Sequence, residues 1–499
     1  MMKYISTRGN FQRVSSAEAI RLGMVPEGGL FVPEKIPEMT LNEILALKDY
    51  DYPDLAVEIL KKYLTDFSEA ELRECVDKAY NKENFSVSDI APLKKLEDDT
   101  YVLELWHGPT AAFKDMALQL MPHLLSMAIE KGNIDREVVI LVATSGDTGK
   151  AALEGFKDVD GVRIIVFYPQ NGVSQIQKAQ MVTTGGENTE VVAVNGNFDD
   201  CQNAVKSVFG DSEFNEYINK NGYRFSSANS INWGRLVPQI VYYFKAYLDL
   251  VNEDEIDKGQ KTNFVVPTGN FGDILAGYYA YRMGLPVEKL VCASNVNKVL
   301  TDIIKTGEYD LDREFKKTIS PSMDILISSN LERFLFSITG QNHRIIKKWY
   351  KALHRKGKFK IDTFTHNNLT DVISGEYADE EDTKFAINFI FEEYDYLIDP
   401  HTAVGVCANK DHDGNVPERW TSVLLSTASP FKFGRAVLSS ILERKVDGDD
   451  FEIVKQLENV AGTKIHRALK NLEESPVKHK TTCGTDEIKS VIKNLLDTC

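Results

Sequence analysis

The sequence lacks the features that mark several classes of protein. Its six cysteines, at positions 75, 201, 292, 407, 483 and 499, include no CxxC pair, and its nine histidines show no metal-binding spacing. The longest fully apolar run, VVILVA at 138–143, is far shorter than a membrane span. The N-terminus, MMKYISTRGNF, has no apolar signal segment. These absences predict a cytoplasmic chain with reduced thiols, no metal and no membrane partner.

Positive charge is also in short supply. The chain carries 58 Lys and Arg against 74 Asp and Glu, a formal net charge of −16. Nucleic acids and anionic membranes bind basic surfaces, so this balance argues against both as partners. The basic stretch at 343–360 is interpreted as a solvated helix face, with nucleic-acid binding as the weaker alternative. Any anionic substrate must therefore meet a pocket that is positive only locally.

What is present is an ordinary globular composition, 43% hydrophobic and 26% charged, on a chain of 499 residues that exceeds one compact core. The apolar pattern of residues 1–95 predicts a mostly helical N-terminal region. Beyond residue 100, short apolar strands alternate with helical patterns, which predicts an α/β fold whose parallel sheets carry helices on both faces. We expect a large domain made of 96–136 and 228–499, with a smaller βα domain, 137–227, inserted in it.

The centre of the sequence is HGPTAAFKD (residues 107–115), which joins a strand pattern to an apolar helical pattern. It places Lys114 in the first turn of a buried helix. Burial and the positive end of the helix dipole both disfavour the ammonium form, so the pKa of Lys114 should fall. A neutral buried lysine is what Schiff-base chemistry requires. The alternative is a lysine that reaches solvent or pairs with Asp115.

Two further stretches have the pattern of strand, glycine loop and helix. In the first, at 262–284, five backbone N–H groups should gather at a helix N-terminus and suit a phosphate; they belong to Gly269, Asn270, Phe271, Gly272 and Asp273. The loop lacks the lysine and hydroxyl of a P-loop and the spacing of a dinucleotide site, which argues against a triphosphate or NAD. The alternative is an ordinary turn capped by Asp273.

The second stretch is VVILVATSGDTGKAALEGF at 138–156. Ser145, Asp147 and Thr148 place hydrogen-bonding side chains beside exposed backbone donors, a pattern suited to an amino-acid carboxylate. An aspartate side chain facing a carboxylate is unfavourable, so the backbone of Asp147 is expected to make that contact.

Five motifs, in order, resemble the threonine synthase family, pyridoxal 5′-phosphate enzymes of the tryptophan synthase β-like fold (fold type II). They are HGPTAAFKD, TSGDTGKAA, ANSINWGR, PTGNFGD and STASPFKF, and the likeness runs from residue 6 to at least residue 433. The resemblance implies that Lys114 bonds covalently to the cofactor and that 269–273 surrounds the cofactor phosphate. It also implies that Thr427 faces the pyridine nitrogen, where a hydroxyl does not hold that nitrogen protonated.

The resemblance extends to the substrate. Asn229, Ser230 and Arg235 match positions that hold the substrate phosphate, and a guanidinium binds two phosphate oxygens at once. An interdomain salt bridge is the alternative for Arg235. The implied reaction converts O-phospho-L-homoserine and water to L-threonine and phosphate by γ-elimination and β-addition, in a monomer or homodimer. Rival hypotheses are a phospholyase that releases a 2-oxo acid and ammonia, and a non-catalytic binding relative.

One histidine is a further candidate. His401 lies in DPHTAVG, at 399–405, after a helical pattern. A catalytic role needs a partner that is not visible in the sequence, so a histidine that orders its own turn is the simpler interpretation.

Overall fold

The computed structural model describes residues 1–132, 136–144, 146–415 and 420–497. Strands in this part of the chain form two larger sheets and two short antiparallel pairs. In chain order they are β1 (Tyr4–Ser6), β2 (Phe31–Pro33), β3 (Leu93–Glu97), β4 (Thr100–Glu104), β5 (Glu137–Ala143), β6 (Val162–Pro169), β7 (Thr189–Asn195), β8 (Tyr223–Ser226), β9 (Thr262–Pro267), β10 (Val287–Ser294), β11 (Glu308–Asp310), β12 (Lys358–Lys360), β13 (Ile373–Tyr377), β14 (Ser422–Ser426) and β15 (Thr481–Gly484).

The helices surround these sheets and link their strands. In chain order they are α1 (Ser16–Leu22), α2 (Leu41–Leu45), α3 (Tyr52–Tyr63), α4 (Glu69–Ala79), α5 (Lys114–Leu118), α6 (Met121–Lys131), α7 (Asp147–Phe156), α8 (Gln175–Val182), α9 (Phe198–Gly210), α10 (Ser212–Lys220), α11 (Trp233–Leu236), α12 (Ile240–Asn252), α13 (Gly272–Met283), α14 (Val299–Thr306), α15 (Leu331–Ile338), α16 (His343–Lys356), α17 (Thr363–Thr370), α18 (Glu380–Tyr394), α19 (Pro400–Asn415), α20 (Gly434–Ile441), α21 (Asp450–Ala461) and α22 (Ile488–Asp497).

The larger sheet has the strand order β13-β10-β9-β14-β4-β3. All its neighbours pair in parallel except β3, which runs antiparallel to β4 at one edge. Every residue of the central strands β4, β9 and β14 is buried. Strands buried on both faces are typical of a parallel sheet covered by helices, and the α/β prediction is confirmed.

The smaller sheet is fully parallel, with the order β15-β7-β6-β5-β8. Its edge strand β15 comes from the C-terminal part of the chain, which the sequence had assigned to the large domain within 228–499. The reason is the apolar stripe of α22, where Ile488, Ile492 and Leu496 recur at helical spacing and pack into the core of this sheet. The other domain boundaries stay predictions.

The N-terminal region is mostly helical, as expected, and holds α1 to α4. Thr40 caps α2 in a capping box with Glu43, which satisfies two backbone donors that the helix leaves free. Tyr4 and Tyr63 pack on the indole of Trp233 with ring centroids 5.3 Å and 5.6 Å away. This aromatic cluster ties the region to α11, one of the elements of the site below.

The apolar helix expected after Lys114 is divided into α5 and α6. Pro122, at the start of α6, has no backbone N–H to donate to Leu118. The carbonyl oxygen of Leu118 lies against Gly155 of α7, where a Cβ would stand 1.8 Å from it. The division therefore lets α7 approach α5 closely and brings Asp147 toward Lys114.

The remaining sequence expectations concern surfaces and metals. α16 buries Ile346, Trp349 and Leu353, and its basic residues lie mainly on the exposed face. No helix in the described ranges is long and apolar enough to cross a membrane. Within the same ranges, no group of three or more His, Cys, Asp or Glu side chains is placed to hold a metal ion.

The loops that follow several strands of the two sheets lie at one location. The carboxyl ends of β9, β14 and β4, which are neighbours in the larger sheet, lead into the loops that contain residues 269–273, Thr427 and His107. The carboxyl end of β5 in the smaller sheet leads into the loop before Asp147. Ligands of open α/β sheets bind at such carboxyl edges.

Candidate active site

Lys114 is the first residue of α5, and its side chain is 11% exposed. Its Nζ lies 4.8 Å from the ring centroid of Phe113. Burial lowers the pKa of Lys114; Asp147 opposes that shift, while Lys432 and Arg235 lower the pKa further. The site therefore makes the free amine easier to form at this position than it is in water.

The carboxylate nearest to that amine is not Asp115, the sequence-based alternative, but Asp147. Asp115 accepts hydrogen bonds from the backbone N–H of Thr110, at 2.8 Å, and from its hydroxyl, at 2.7 Å. Burial raises the pKa of Asp115 to about 6. The Nζ of Lys114 lies instead 3.6 Å from Oδ2 of Asp147.

Asp147 is buried between two lysines. Its Oδ1 is 3.1 Å from Nζ of Lys432 and accepts a hydrogen bond from Nε2 of Gln177 at 2.9 Å. Its Oδ2 faces Lys114 and accepts from the hydroxyl of Ser322 at 3.3 Å. Burial alone would raise the pKa of Asp147, but Lys432 and Lys114 hold it well below its usual range. Asp147 is therefore an ionised carboxylate, fixed from both sides.

His401 stabilises this arrangement through the segment that carries Ser322. Its Nδ1 lies 2.5 Å from Oδ2 of Asp399, and its Nε2 accepts the backbone N–H of Ser322 at 3.1 Å. These two bonds assign the ring proton to Nδ1. His401 thus orders its turn, at the start of α19 rather than at the end of a helix, and holds the segment that carries Ser322.

The turn at 269–273 leads into the first residues of α13, and Phe271, just before the helix, adopts a left-handed backbone conformation with φ of 61°. The first two carbonyl groups of the turn are bonded to a neighbouring segment: Gly269 accepts from the hydroxyl of Ser328, and Asn270 accepts from the backbone N–H of Asn330. None of the five N–H groups from Gly269 to Asp273 finds an acceptor within the described part of the chain. The turn is thus an open anion-binding site at a helix N-terminus.

Asp273 does not cap this helix. Its Oδ1 accepts hydrogen bonds from the hydroxyls of Tyr242, at 2.5 Å, and Tyr243, at 2.9 Å, both on α12. Its Oδ2 is buried and finds no partner in the described ranges. Burial raises the pKa of Asp273 to about 6. The acid is turned toward the tyrosines, which leaves the N–H groups of the turn free.

Arg235, on α11, is a buried cation, 4% exposed. One guanidinium nitrogen donates to the carbonyl oxygen of Ala228 at 3.1 Å, and Nε is buried without a partner. No carboxylate of the described residues forms an ion pair with it, so the salt-bridge alternative is not what the structure shows. A buried guanidinium with an unused donor is suited to an incoming anion.

The structure brings only some of the other predicted residues to this location. The backbone carbonyl of Thr427 accepts from Phe113, beside Lys114, and the amide of Asn330 bridges the carbonyls of Ser230 and Asn270. Asn229 is exposed and Thr148 is partly buried. Ser145 lies outside the described residues.

Sequence reasoning missed several side chains of the site: Lys432, Gln177, Ser322, Tyr242 and Tyr243. The one available signal was Lys432, a charged residue between two phenylalanines in STASPFKF. A cavity of about 1660 Å³ includes Gln177 and Lys432 in its wall but not Lys114, Arg235 or Thr427. Because this cavity leaves out those three residues, we assign the site to the place where the charged side chains and the free N–H groups of the turn at 269–273 come together.

Two protein-family models match this chain. Residues 3–80 match the family described as "Threonine synthase N terminus", and residues 87–428 match the family described as "Pyridoxal-phosphate dependent enzyme". The protein named threonine synthase-like 1 of Macaca fascicularis is 41% identical over 463 residues, which cover 89% of this chain and 61% of that protein. This chain spans about three fifths of the length of such relatives.

Two further relatives are matched over most of their length. The threonine synthase of Schizosaccharomyces pombe is 39% identical over 469 residues, which cover 87% of this chain and 88% of that protein. The crystal structure of PLP-bound threonine synthase from Brucella melitensis aligns with a TM-score of 0.88 and 34% identity over 100% of this chain and 99% of that one. The chain belongs to the threonine synthase family of pyridoxal-phosphate-dependent enzymes.

Proposed function

We propose that this chain is a threonine synthase, which converts O-phospho-L-homoserine and water to L-threonine and phosphate with pyridoxal 5′-phosphate as its cofactor. The observation that carries the proposal is the presence of two separate anion sites near one buried amine. The turn at 269–273 offers free backbone N–H groups, and Arg235 offers a buried guanidinium without an acidic partner among the described residues. A phosphorylated cofactor and a phosphorylated substrate require two such sites.

The residues fit the cofactor on several observations. Gly272 faces open space, since a Cβ there would have only the amide nitrogen of Asn330 within 4 Å, at 3.6 Å. The free N–H groups of the turn suit its phosphate, and the amine of Lys114 suits its aldehyde. Thr427 is proposed to lie at the ring nitrogen, where it supplies a hydroxyl and not a carboxylate. When bound, pyridoxal phosphate supplies an electrophilic carbon and a conjugated ring that accepts an electron pair from the substrate.

On the substrate side, Arg235 is proposed to bind the phosphate through its planar fork, with Asn229 and Ser230 nearby. The substrate carboxylate is proposed to meet the loop that holds Ser145 and Thr148. The side chain of Asp147 is already held by Lys432 and Lys114, so only its backbone is free for that carboxylate.

Lys114 is proposed to move the protons. Its Nζ, when not bonded to the cofactor, takes the proton from the α carbon and serves the β carbon next. Phosphate leaves the γ carbon and is received by Arg235, and water adds at the β carbon. A cytoplasmic location belongs to this proposal, and the five cysteines within the described residues are unpaired thiols.

Product analysis of the full-length chain tests the proposal. With pyridoxal phosphate, O-phospho-L-homoserine and ¹⁸O-labelled water, we expect equal amounts of phosphate and L-threonine, with the label in the threonine hydroxyl. Release of a 2-oxo acid and ammonia in place of threonine would identify a phospholyase. A chain that binds the cofactor and releases no phosphate would be a binding relative without this activity.

A further inference from the structure

Lys432 is a second lysine at the site, and its side chain has no exposed surface. It lies in the short 3-10 turn Pro430–Phe433 that follows β14. Its Nζ donates to the carbonyl oxygen of Thr110 at 2.9 Å and faces Oδ1 of Asp147 at 3.1 Å. A buried ammonium is stable only with such partners, and Asp147 is the carboxylate among them.

Asp147 therefore stands between two amines and carries one negative charge. Lys432 is nearer to it, at 3.1 Å, than Lys114 is, at 3.6 Å. Gln177 donates to the same oxygen as Lys432 and holds that side of the carboxylate in place. Since one carboxylate neutralises one ammonium, the pair with Lys432 leaves Lys114 without a full counter-charge.

We propose that Lys432 is a positioning residue of this site: its ammonium neutralises Asp147 and so keeps Lys114 in the free-amine form that captures the cofactor. The inference rests on the proposed function, because it assigns Lys114 to the cofactor. It also gives a role to the aspartate, which holds Lys432 in place and so fixes a cation beside Lys114.

The other charged groups near these amines do not replace Lys432. The carboxyl groups of Asp115 and Asp273 are already bonded to Thr110 and to the two tyrosines of α12. Arg235 adds positive charge and acts in the same direction as Lys432. Other titratable groups of the described residues that act on the pair are Lys150, which is bonded to Glu154 on α7, His401 on α19, and His466.

The test is the rate at which the full-length chain, freed of cofactor, captures pyridoxal phosphate across a range of pH. Capture is followed by absorbance, and borohydride reduction with peptide mapping verifies that Lys114 is the site. Lys432→Met removes a cation that lowers the pKa of Lys114, so the half-maximal rate should move to higher pH by about one unit. Below that midpoint, capture should be about tenfold slower.

A matched set of variants separates this role from simple packing. Lys150→Met removes another buried lysine of the same region, and should move the midpoint much less than Lys432→Met does, because Lys150 is bonded to Glu154 and Thr184 and not to Asp147. Asp147→Asn should move the midpoint to lower pH, because the carboxylate that favours the ammonium of Lys114 is gone. If Lys432→Met does not fold, the double variant Asp147→Asn with Lys432→Met should show a higher midpoint than Asp147→Asn alone.

Equal midpoints in the wild-type chain and Lys432→Met, or in the two Asp147→Asn chains, would overturn the inference. A chain that shows the predicted shift but makes no threonine would support the role of Lys432 and contradict the proposed function. Failure of the wild-type chain to capture the cofactor at Lys114 would overturn both.

Discussion

The turn between β5 and α7 and the turn between β9 and α13 have the same local plan but opposite electrostatics. Each joins a buried parallel strand to a helix through glycines. In the first, the hydroxyl of Thr144 accepts the N–H groups of Gly146 and Gly149, and Asp147 is ionised. In the second, the five N–H groups stay free in the described structure and Asp273 is turned toward two tyrosines.

The difference shows that a glycine loop at a helix N-terminus does not define an anion site by itself. In the first turn, Thr144 already uses the N–H groups of Gly146 and Gly149, and the side chain of Asp147 is held by the two lysines beside it, so fewer donors remain for the substrate carboxylate proposed to bind there. The second turn has its donors unused, because its acid bonds elsewhere. Lys114 lies near both turns. Because the two turns present different groups to it, each turn affects function in its own way.

Removal of the amine of Lys114, which lies near both turns, should have the largest effect on activity. Lys114→Ala should lower the rate of threonine formation by about 10⁴-fold or more, because covalent capture of the cofactor and proton transfer are both lost. Steady-state product assays measure it, with Lys150→Ala as the control for loss of a buried lysine. A Lys114→Ala rate within tenfold of the wild-type rate would remove Lys114 from the mechanism.

Removal of Arg235, the buried cation proposed to bind the substrate phosphate, should have the next largest effect. Arg235→Met fills a similar volume and leaves no carboxylate unpaired among the described residues, so the free energy of unfolding should not fall. The loss of two charge-assisted hydrogen bonds to a phosphate should lower kcat/KM by about 1000-fold, near 4 kcal/mol.

Arg235→Lys provides the matched control for that variant. It keeps the charge but loses the planar fork, and should fall between the wild-type chain and Arg235→Met. An unchanged kcat/KM in Arg235→Met would show that the substrate phosphate binds elsewhere.

A third variant should make the open turn resemble the occupied one. Gly272→Asp places a carboxylate at the start of α13, where a Cβ meets only ordinary contact. Cofactor affinity should fall by about 100-fold, near 3 kcal/mol, because the new anion competes with the cofactor phosphate. Equilibrium titration with pyridoxal phosphate measures it.

The control for that variant is Gly272→Asn, which has the same shape without charge and should bind the cofactor much more tightly than Gly272→Asp. The thermal midpoint of Gly272→Asp should not fall, since an acid in the first turn of a helix is stabilising. Equal affinity in the two variants would mean that no anion binds at this turn.

The smallest expected effect concerns Asp273, whose carboxyl group is bonded to two tyrosines and not to the N–H groups of the open turn. Burial raises the pKa of Asp273 to about 6, above the ordinary value near 4. Its ionisation therefore destabilises the fold: there is no penalty below about pH 4, the penalty grows up to about pH 6, and it is complete above that.

Asp273→Asn cannot ionise, so it should raise the free energy of unfolding by roughly 2 kcal/mol at pH 7.5 and change it little at pH 4. Denaturant unfolding at the two pH values measures the difference. A gain that is equal at both pH values would contradict the assigned protonation of Asp273.

Much of this comparison was accessible from the sequence. The strands β5, β6, β7 and β9 follow apolar runs with β-branched residues, and both glycine turns were placed by the break between strand and helix patterns. The close approach of Gly155 to Leu118, which the division of the helix before Pro122 allows, is a tertiary contact that periodicity does not report.

The partners of the charged groups could not be predicted from the sequence. Asp147 and Lys432 are far apart in the chain, and nothing local to either one shows that they form an ion pair. The same holds for Asp273 and the tyrosines of α12, and for β15, which reaches the smaller sheet from the end of the chain. Fold class follows from local patterns, whereas the charge state of the site follows from long-range contacts.

The most direct test of the account is borohydride reduction of the chain loaded with pyridoxal phosphate, followed by peptide mapping. The account predicts one cofactor per chain, fixed to the peptide that contains Lys114. A cofactor fixed mainly to Lys432 or another lysine, or no fixed cofactor, would contradict it.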